Sequence, residues 1–305
     1  MTEICLLKDP FFKRGFNIRG LTPEADRKEK WAQVKFGQTE NPCWNYGQWA
    51  AKYDLANPEE GALTEISKGV FELKTLTNQL LVDTNNRELV FTCITTNNYQ
   101  HHRTGSDPWQ HLLVETDFTN VYQPDDFTML KRLDSLKISG KVKLLNFEDH
   151  MGEAFDPEVH AAQFLLYLTI HNANRSSKGF GEMIWFGVNF FDNRHEWSEY
   201  NAMFDVGTQC LMVSIGNRPV YPGGKSFFEG GRIIFGEDSP EYPFEIEALP
   251  MIKNAYYTAR EEGYFQNTEI DDLCVSGMNL GWEMPGTYNA SMKMRDFDIS
   301  VVVTE

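Results

Sequence analysis

The sequence predicts an all-β chain, a two-sheet antiparallel β-sandwich with one or two short helices. Three observations carry this. Short runs rich in Val, Leu, Ile, Phe and Thr recur along most of the chain, with polar turns rather than helical crossovers between them. Aromatic residues make up 13% of the chain, with 22 Phe, 12 Tyr and 7 Trp, a surplus that suits pleated, half-buried surfaces. Only two stretches carry helix signals.

Taken in order, residues 1–60 read as an irregular N-terminal elaboration on a single sandwich domain spanning 1–305, with Gly, Pro and Asn scattered among Trp31, Trp44 and Trp49. Within it, Thr22-Pro23-Glu24 places a cap residue before a Pro at the first helical position, and predicts a short helix to about Gln33. Gly69–Thr75, Gln79–Asp83 and Glu88–Thr95 read as strands joined by Asn-rich turns such as Asp83-Thr84-Asn85-Asn86. His111–Phe118, Ser135–Phe147, Gln163–His171 and Glu182–Phe191 follow. Then come Cys210–Ile215, Arg232–Phe235, Phe244–Ala248, Leu273–Leu280 and Phe297–Val303. One segment breaks the pattern: Ile252, Ala255, Tyr256 and Ala259 recur at helical spacing within 250–265, with Gly263 as the stop. Alternation along the strands predicts a core containing Leu112, Val114, Ile138, Leu144, Phe164, Leu166, Leu168, Val213, Ile215, Ile234, Val275 and Val301.

The charge balance narrows the partners. With 28 basic and 44 acidic residues the net charge is −16. That field repels phosphate backbones and anionic lipid, so neither nucleic acid nor a membrane is the expected partner, while neutral glycans are compatible. The first residues hold no apolar stretch long enough for a signal peptide. Five cysteines, Cys5, Cys43, Cys93, Cys210 and Cys274, are odd in number, widely spread and free of any CxxC pairing. Reduced thiols and a cytoplasmic location are the expectation. Sandwiches of this size pair through sheet edges, so a homo-oligomer is an open expectation.

Three constellations are suited to chemistry. The first is Glu182 and Glu283, each beside an aromatic strand position, Trp185 and Trp282. An indole stacks on a pyranose ring, and two carboxyls flanking a glycosidic bond can hydrolyse it. The second is the cluster Asp192, Arg194 and His195 at the end of the same strand as Trp185, an acid/base pair with a cation that could neutralise a carboxylate or enolate. The third is Tyr99-Gln100-His101-His102-Arg103 followed by Trp109 and His111. A Tyr/His pair with Arg suits a polysaccharide lyase or sugar epimerase, and His111 opens a strand that would line a cleft. Metal and cofactor signals are poor. His195-Glu196 lacks the second His of HExxH, Gly224-Lys225-Ser226 has Pro219 where a P-loop needs its first Gly, and Asp271-Asp272 reads as a solvated turn. No cofactor is expected.

The run Gly181-Glu182-Met183-Ile184-Trp185-Phe186-Gly187 resembles the strand of family 12 glycoside hydrolases that carries their nucleophile in Glu-x-Met-Ile-Trp. Gly281, Glu283 and Gly286 resemble the strand holding their acid/base Glu. The resemblance covers about fifteen residues and implies a jelly-roll, concanavalin-like sandwich acting on glycans. It carries one departure: aligning Met183-Ile184-Trp185 puts Gly181 at the nucleophile position, and a one-residue slip turns a strand side chain to the opposite face. A glycoside hydrolase-like carbohydrate-active enzyme is the leading expectation, with catalytic candidates Glu182, Glu283 and Asp192; a non-catalytic carbohydrate-binding protein, a polysaccharide lyase or sugar epimerase, and an interaction domain with no sugar role are the alternatives. Trp185, Trp282, Arg194, His195, His111 and Trp109 are the candidate sugar contacts.

Overall fold

Two antiparallel-rich sheets enclose one hydrophobic core in the computed structural model, which describes residues 2–19, 21, 32–195, 200–205, 210–216 and 240–304. The strands are β1 (Thr2–Cys5), β2 (Phe16–Ile18), β3 (Ala32–Val34), β4 (Trp44–Gly47), β5 (Ala62–Ser67), β6 (Val70–Lys74), β7 (Asn78–Asp83), β8 (Glu88–Ile94) and β9 (Gln110–Asp117). They continue with β10 (Leu133–Asp149), β11 (Gln163–Asn172), β12 (Met183–Asp192), β13 (Asn201–Asp205), β14 (Cys210–Ile215), β15 (Tyr242–Glu247), β16 (Leu273–Met284) and β17 (Tyr288–Val303), and among the described residues one α-helix, α1 (Leu249–Glu261), lies between β15 and β16. One sheet runs β15-β10-β17-β8-β7-β6-β5, with β1 also on β17. The other runs β13-β14-β12-β11-β16-β9-β4-β2-β3.

Period-two burial explains why these segments are strands. Along β7 and β8 buried and half-buried residues alternate without a break, and each buried residue faces the opposing sheet. The largest fully buried side chains include Trp44, Trp282, Phe91 and Phe164. Each such ring removed from water contributes roughly 1.5–3 kcal/mol. Trp282 packs edge-on against Phe164 and Phe191 at 5.1 and 5.8 Å, and its indole N–H donates to the Phe91 carbonyl at 3.0 Å. That bond ties the nine-stranded sheet to the other through the core.

The helix buries Leu249, Ile252, Ala255, Tyr256 and Ala259. It ends as the predicted Gly263 requires: at φ +94° this glycine donates to the Arg260 carbonyl, and Tyr264 donates to Ala259. The paired bonds and a left-handed glycine form a Schellman stop.

Several expectations need correction. Residues 1–60 are no mere elaboration, for β1 joins β17 while β2, β3 and β4 extend the nine-stranded sheet. Ala32 and Gln33 lie in β3, not at the end of a helix, because Gln33 pairs with Asn17; Thr22–Trp31 lie outside the described residues. The last two strands are longer than expected. β16 runs through to Met284, which sets Glu283 inside a ladder, and β17 starts at Tyr288. Of the predicted core, Ile215 is only half-buried and Ile234 lies outside the described residues, as does the strand expected at Arg232–Phe235. The remaining ten are buried.

Candidate functional site

The outer face of the nine-stranded sheet is where polar side chains collect. Trp282, Leu280 and Met278 point into the core, so strand alternation turns Glu283, Gly281 and Asn279 outward. Register then builds rows across the sheet. One row runs His111, Glu283, Gln163, Asp192 over β9, β16, β11 and β12. A second crosses all nine strands: Gln33, Asn17, Asn45, Glu115, Asn279, Tyr167, Gly187, Ser214, Asn201.

The second row is a polar stripe with its own ladder of side-chain bonds. Gln33 Nε2 donates to Asn17 Oδ1 at 2.9 Å, and Asn17 Nδ2 donates to Asn45 Oδ1 at 3.1 Å. Arg19 Nε lies 2.8 Å from Glu115 Oε2. Tyr167 lays its ring over Gly187, where a Cβ would meet ring carbon Cε1 at 2.5 Å, and its hydroxyl lies 3.4 Å from Ser214 Oγ. Burial pushes the Tyr167 phenol well above its usual range, with the Glu283 carboxylate adding to the rise. Between the two rows the floor carries Leu113, Leu165 and Asn189, all buried.

At the Glu283 end, His111 is held between two indoles. Trp49 meets it edge-on at 5.7 Å and Trp109 lies tilted at 5.8 Å. His111 Nε2 is 4.0 Å from Glu283 Oε1, and the two side chains are 17% and 20% exposed. Burial lowers the His111 pKa below the usual 6.5, and the Glu283 carboxylate opposes that drop. Trp109 is exposed, with the Arg103 guanidinium 5.3 Å from its ring centroid. An acid, an imidazole and an accessible indole therefore share one lip of this face.

The other candidates are placed elsewhere. Trp282 is fully buried and unable to stack on a ligand. Asp192 is buried and its oxygens are committed: Arg194 Nε and Nη2 donate to it at 2.9 and 2.6 Å and Gln163 Nε2 at 2.8 Å. Arg194 is thereby spent in that fork, and His195 is an exposed turn residue whose N–H donates to the Asp192 carbonyl. Glu182 sits in the turn before β12, where Thr268 Oγ1 donates to its Oε2 at 2.5 Å. Because Met183 pairs with His171 while Glu283 pairs with Gln163, Glu182 and Glu283 lie at opposite ends of β11, about 26 Å apart at the rise of a strand. They are not a catalytic pair.

Trp185 does reach the outer face, edge-on to Tyr167 at 5.9 Å. The Tyr/His/Arg loop is structural. Tyr99 Oη accepts from the Gln110 N–H, Arg103 Nη1 donates to the Val159 carbonyl, and His101 and His102 are exposed, His101 facing Asp107. Among the described residues no three His, Cys, Asp or Glu side chains group as they would around a metal ion.

Sequence reasoning missed Trp49, Glu115, Asn279 and the amides of β2 and β4. A signal existed for the last. Phe16-Asn17-Ile18 and Trp44-Asn45-Tyr46 each set one Asn between two large apolar residues, the alternation of a strand with one wet face.

No protein-family model matches the chain, and no curated relative matches it. Solved structures similar to it include an endoglucanase, Cel12A, from Rhodothermus marinus, at 9% identity and TM-score 0.43 over 85% of this chain and 99% of that one. A family 11 xylanase from Neocallimastix patriciarum is similar at 7% identity and TM-score 0.40, over 81% of this chain and 97% of its own. A family 12 xyloglucanase from Bacillus licheniformis is similar at 8% identity and TM-score 0.37, over 84% and 100%.

Proposed function

We propose that this protein binds a neutral glycan on the outer face of its nine-stranded sheet, with Trp109 and Trp185 as stacking surfaces and the amide row as hydrogen-bonding partners. The observation that carries the reading is the polar row spanning all nine strands beside a lip that joins Glu283, His111 and Trp109. Amides and hydroxyls spaced along a sheet suit sugar hydroxyls, and exposed indoles suit the apolar face of a pyranose. A net charge of −16 agrees with a neutral ligand. The test is retention on a glycan array, followed by calorimetric titration of the sugars retained. Trp109→Ala should weaken binding at least several-fold, and an array on which the intact protein retains no glycan sinks the proposal.

Binding without hydrolysis is favoured over a two-carboxylate glycosidase. Such enzymes hold their carboxyls about 5–9.5 Å apart. On this face Glu115 is engaged by Arg19 and stands four positions along β9 from His111, the partner of Glu283, about 13 Å at the rise of a strand. A second reading, acid–base chemistry by Glu283 with His111, is favoured by their 4.0 Å approach. Turnover of a labelled oligosaccharide panel that is lost in Glu283→Gln would establish it; no turnover by the intact protein leaves the binding reading alone.

A further inference from the structure

We infer that Asn279 selects the ligand of this face by requiring a hydroxyl donor, and that the class selected is a sugar ring with two free neighbouring hydroxyls laid over β16. The inference rests on the glycan reading above. Asn279 is only 8% exposed, and its Oδ1 is sealed from solvent with no hydrogen-bond partner among the described residues. Its chain neighbours Met278 and Leu280 are core residues, so the carboxamide stands on the outer face.

The surroundings leave that amide uncommitted. The positions two before and two after it on the same strand are Gly277 and Gly281. A Cβ at 277 would meet the Thr116 carbonyl oxygen at 2.9 Å, and one at 281, where φ is +150°, would meet that of Leu112 at 2.0 Å. Close backbone approach therefore keeps both positions bare, and β16 offers Asn279 and Glu283 as its polar groups along this floor. Across the row, Glu115 is paired with Arg19, and the Tyr167 hydroxyl lies beside Ser214. A buried carbonyl oxygen without a donor is destabilising, and folded proteins keep few of them. A carboxamide presents an acceptor and a two-proton donor side by side, which matches one hydroxyl that donates and an adjacent one that accepts.

The experiment compares the intact protein with Asn279→Ala and Asn279→Leu by thermal melting and by calorimetric titration. The probes are hexasaccharides of β-linked glucose, xylose and mannose, together with singly deoxygenated analogues of whichever binds most tightly. Asn279→Ala is expected to melt at or above the parent temperature, since no bond within the protein is lost, and to bind about tenfold more weakly or worse. One deoxygenated analogue should lose that same factor against the parent and nothing further against Asn279→Ala. A lowered melting temperature in both variants makes Asn279 a structural residue and overturns the inference. Undiminished affinity in both variants overturns the inference alone, while no binding of any hexasaccharide by the parent brings down the glycan reading and the inference with it.

Discussion

The two ends of β11 carry a glutamate each, and the two have opposite fates. At one end Glu182 is locked: Thr268, itself fully buried, donates to it, and Asn172 donates to the same threonine hydroxyl at 2.7 Å. At the other, Glu283 stands in a ladder on the outer face, with His111 approaching to 4.0 Å and the Tyr167 phenol within reach of its charge. The same side chain beside the same kind of aromatic strand is an anchor in one place and an available group in the other. What differs is local backbone. Glu182 is in a turn whose partners are loop hydroxyls, whereas Glu283 is in a strand whose alternation points it away from the core.

The strongest way to break this comparison is at Trp282, the immediate neighbour of Glu283. Its indole fills the core and donates across it, so Trp282→Ala should cost about 3–5 kcal/mol of unfolding free energy, whereas Trp109→Ala should cost under about 1 kcal/mol. Urea denaturation of both variants checks this. Equal losses would mean that the two indoles do not divide between core and cleft.

His171, at the Glu182 end, sharpens the contrast by pH. Burial holds its pKa down at about 4 against the usual 6.5, and its Nδ1 shares a 2.7 Å hydrogen bond with Ser276 Oγ. Between pH 6.5 and 4 the unfolded chain takes up a proton that the folded one refuses. Stability is therefore full above pH 6.5 and falls as pH drops through that window, by roughly 3 kcal/mol from this group. Denaturation at pH 7 and at pH 4.5 should show a smaller acid loss in His171→Gln than in the parent. An identical loss would remove His171 as the cause.

Glu182→Ala comes next in size. It strips a buried hydroxyl of its carboxylate acceptor and should cost about 1.5–3 kcal/mol by the same assay, with glycan binding at the far end unchanged.

How legible all this was in the sequence depends on which physical rule governed each residue. Strand positions followed from alternation, and ten of the twelve expected core residues are buried because a period of two leaves them no other face. The same rule, applied to the pair Trp282-Glu283, already forbids both from facing a ligand. Asp192 was misread because its fate depends on Arg194 folding back two residues to close a fork, a tertiary choice that composition does not encode. The N-terminal strands were hidden by their brevity: three or four residues each, held by pairing with distant partners rather than by any run of their own. The nine-strand polar row was invisible for a related reason, since it exists only once register aligns single residues from nine separate segments.

The smallest effect is the most specific to the Glu283 end. Glu283→Gln keeps the shape of the side chain and removes its charge, and a largely buried strand position with no strong ion pair should lose no more than about 1 kcal/mol of stability. Its effect should appear instead on His111. Burial lowers that imidazole's pKa and the Glu283 carboxylate partly restores it. With the charge gone burial is opposed only by hydrogen bonds to the Trp109 and Trp49 backbone, so His111 should titrate at a still lower pH than in the parent. The chain has seven histidines, so the signal is assigned by its loss in His111→Gln and followed through imidazole carbon-bound proton shifts. Glu182→Gln, at the other end of β11, should leave that titration where it was, because about 26 Å and a screening solvent separate the two. If both variants move His111 equally, the two ends are coupled and the division between anchor and available acid fails. If Glu283→Gln unfolds the protein, Glu283 is an anchor as well, and the lip loses its available carboxylate.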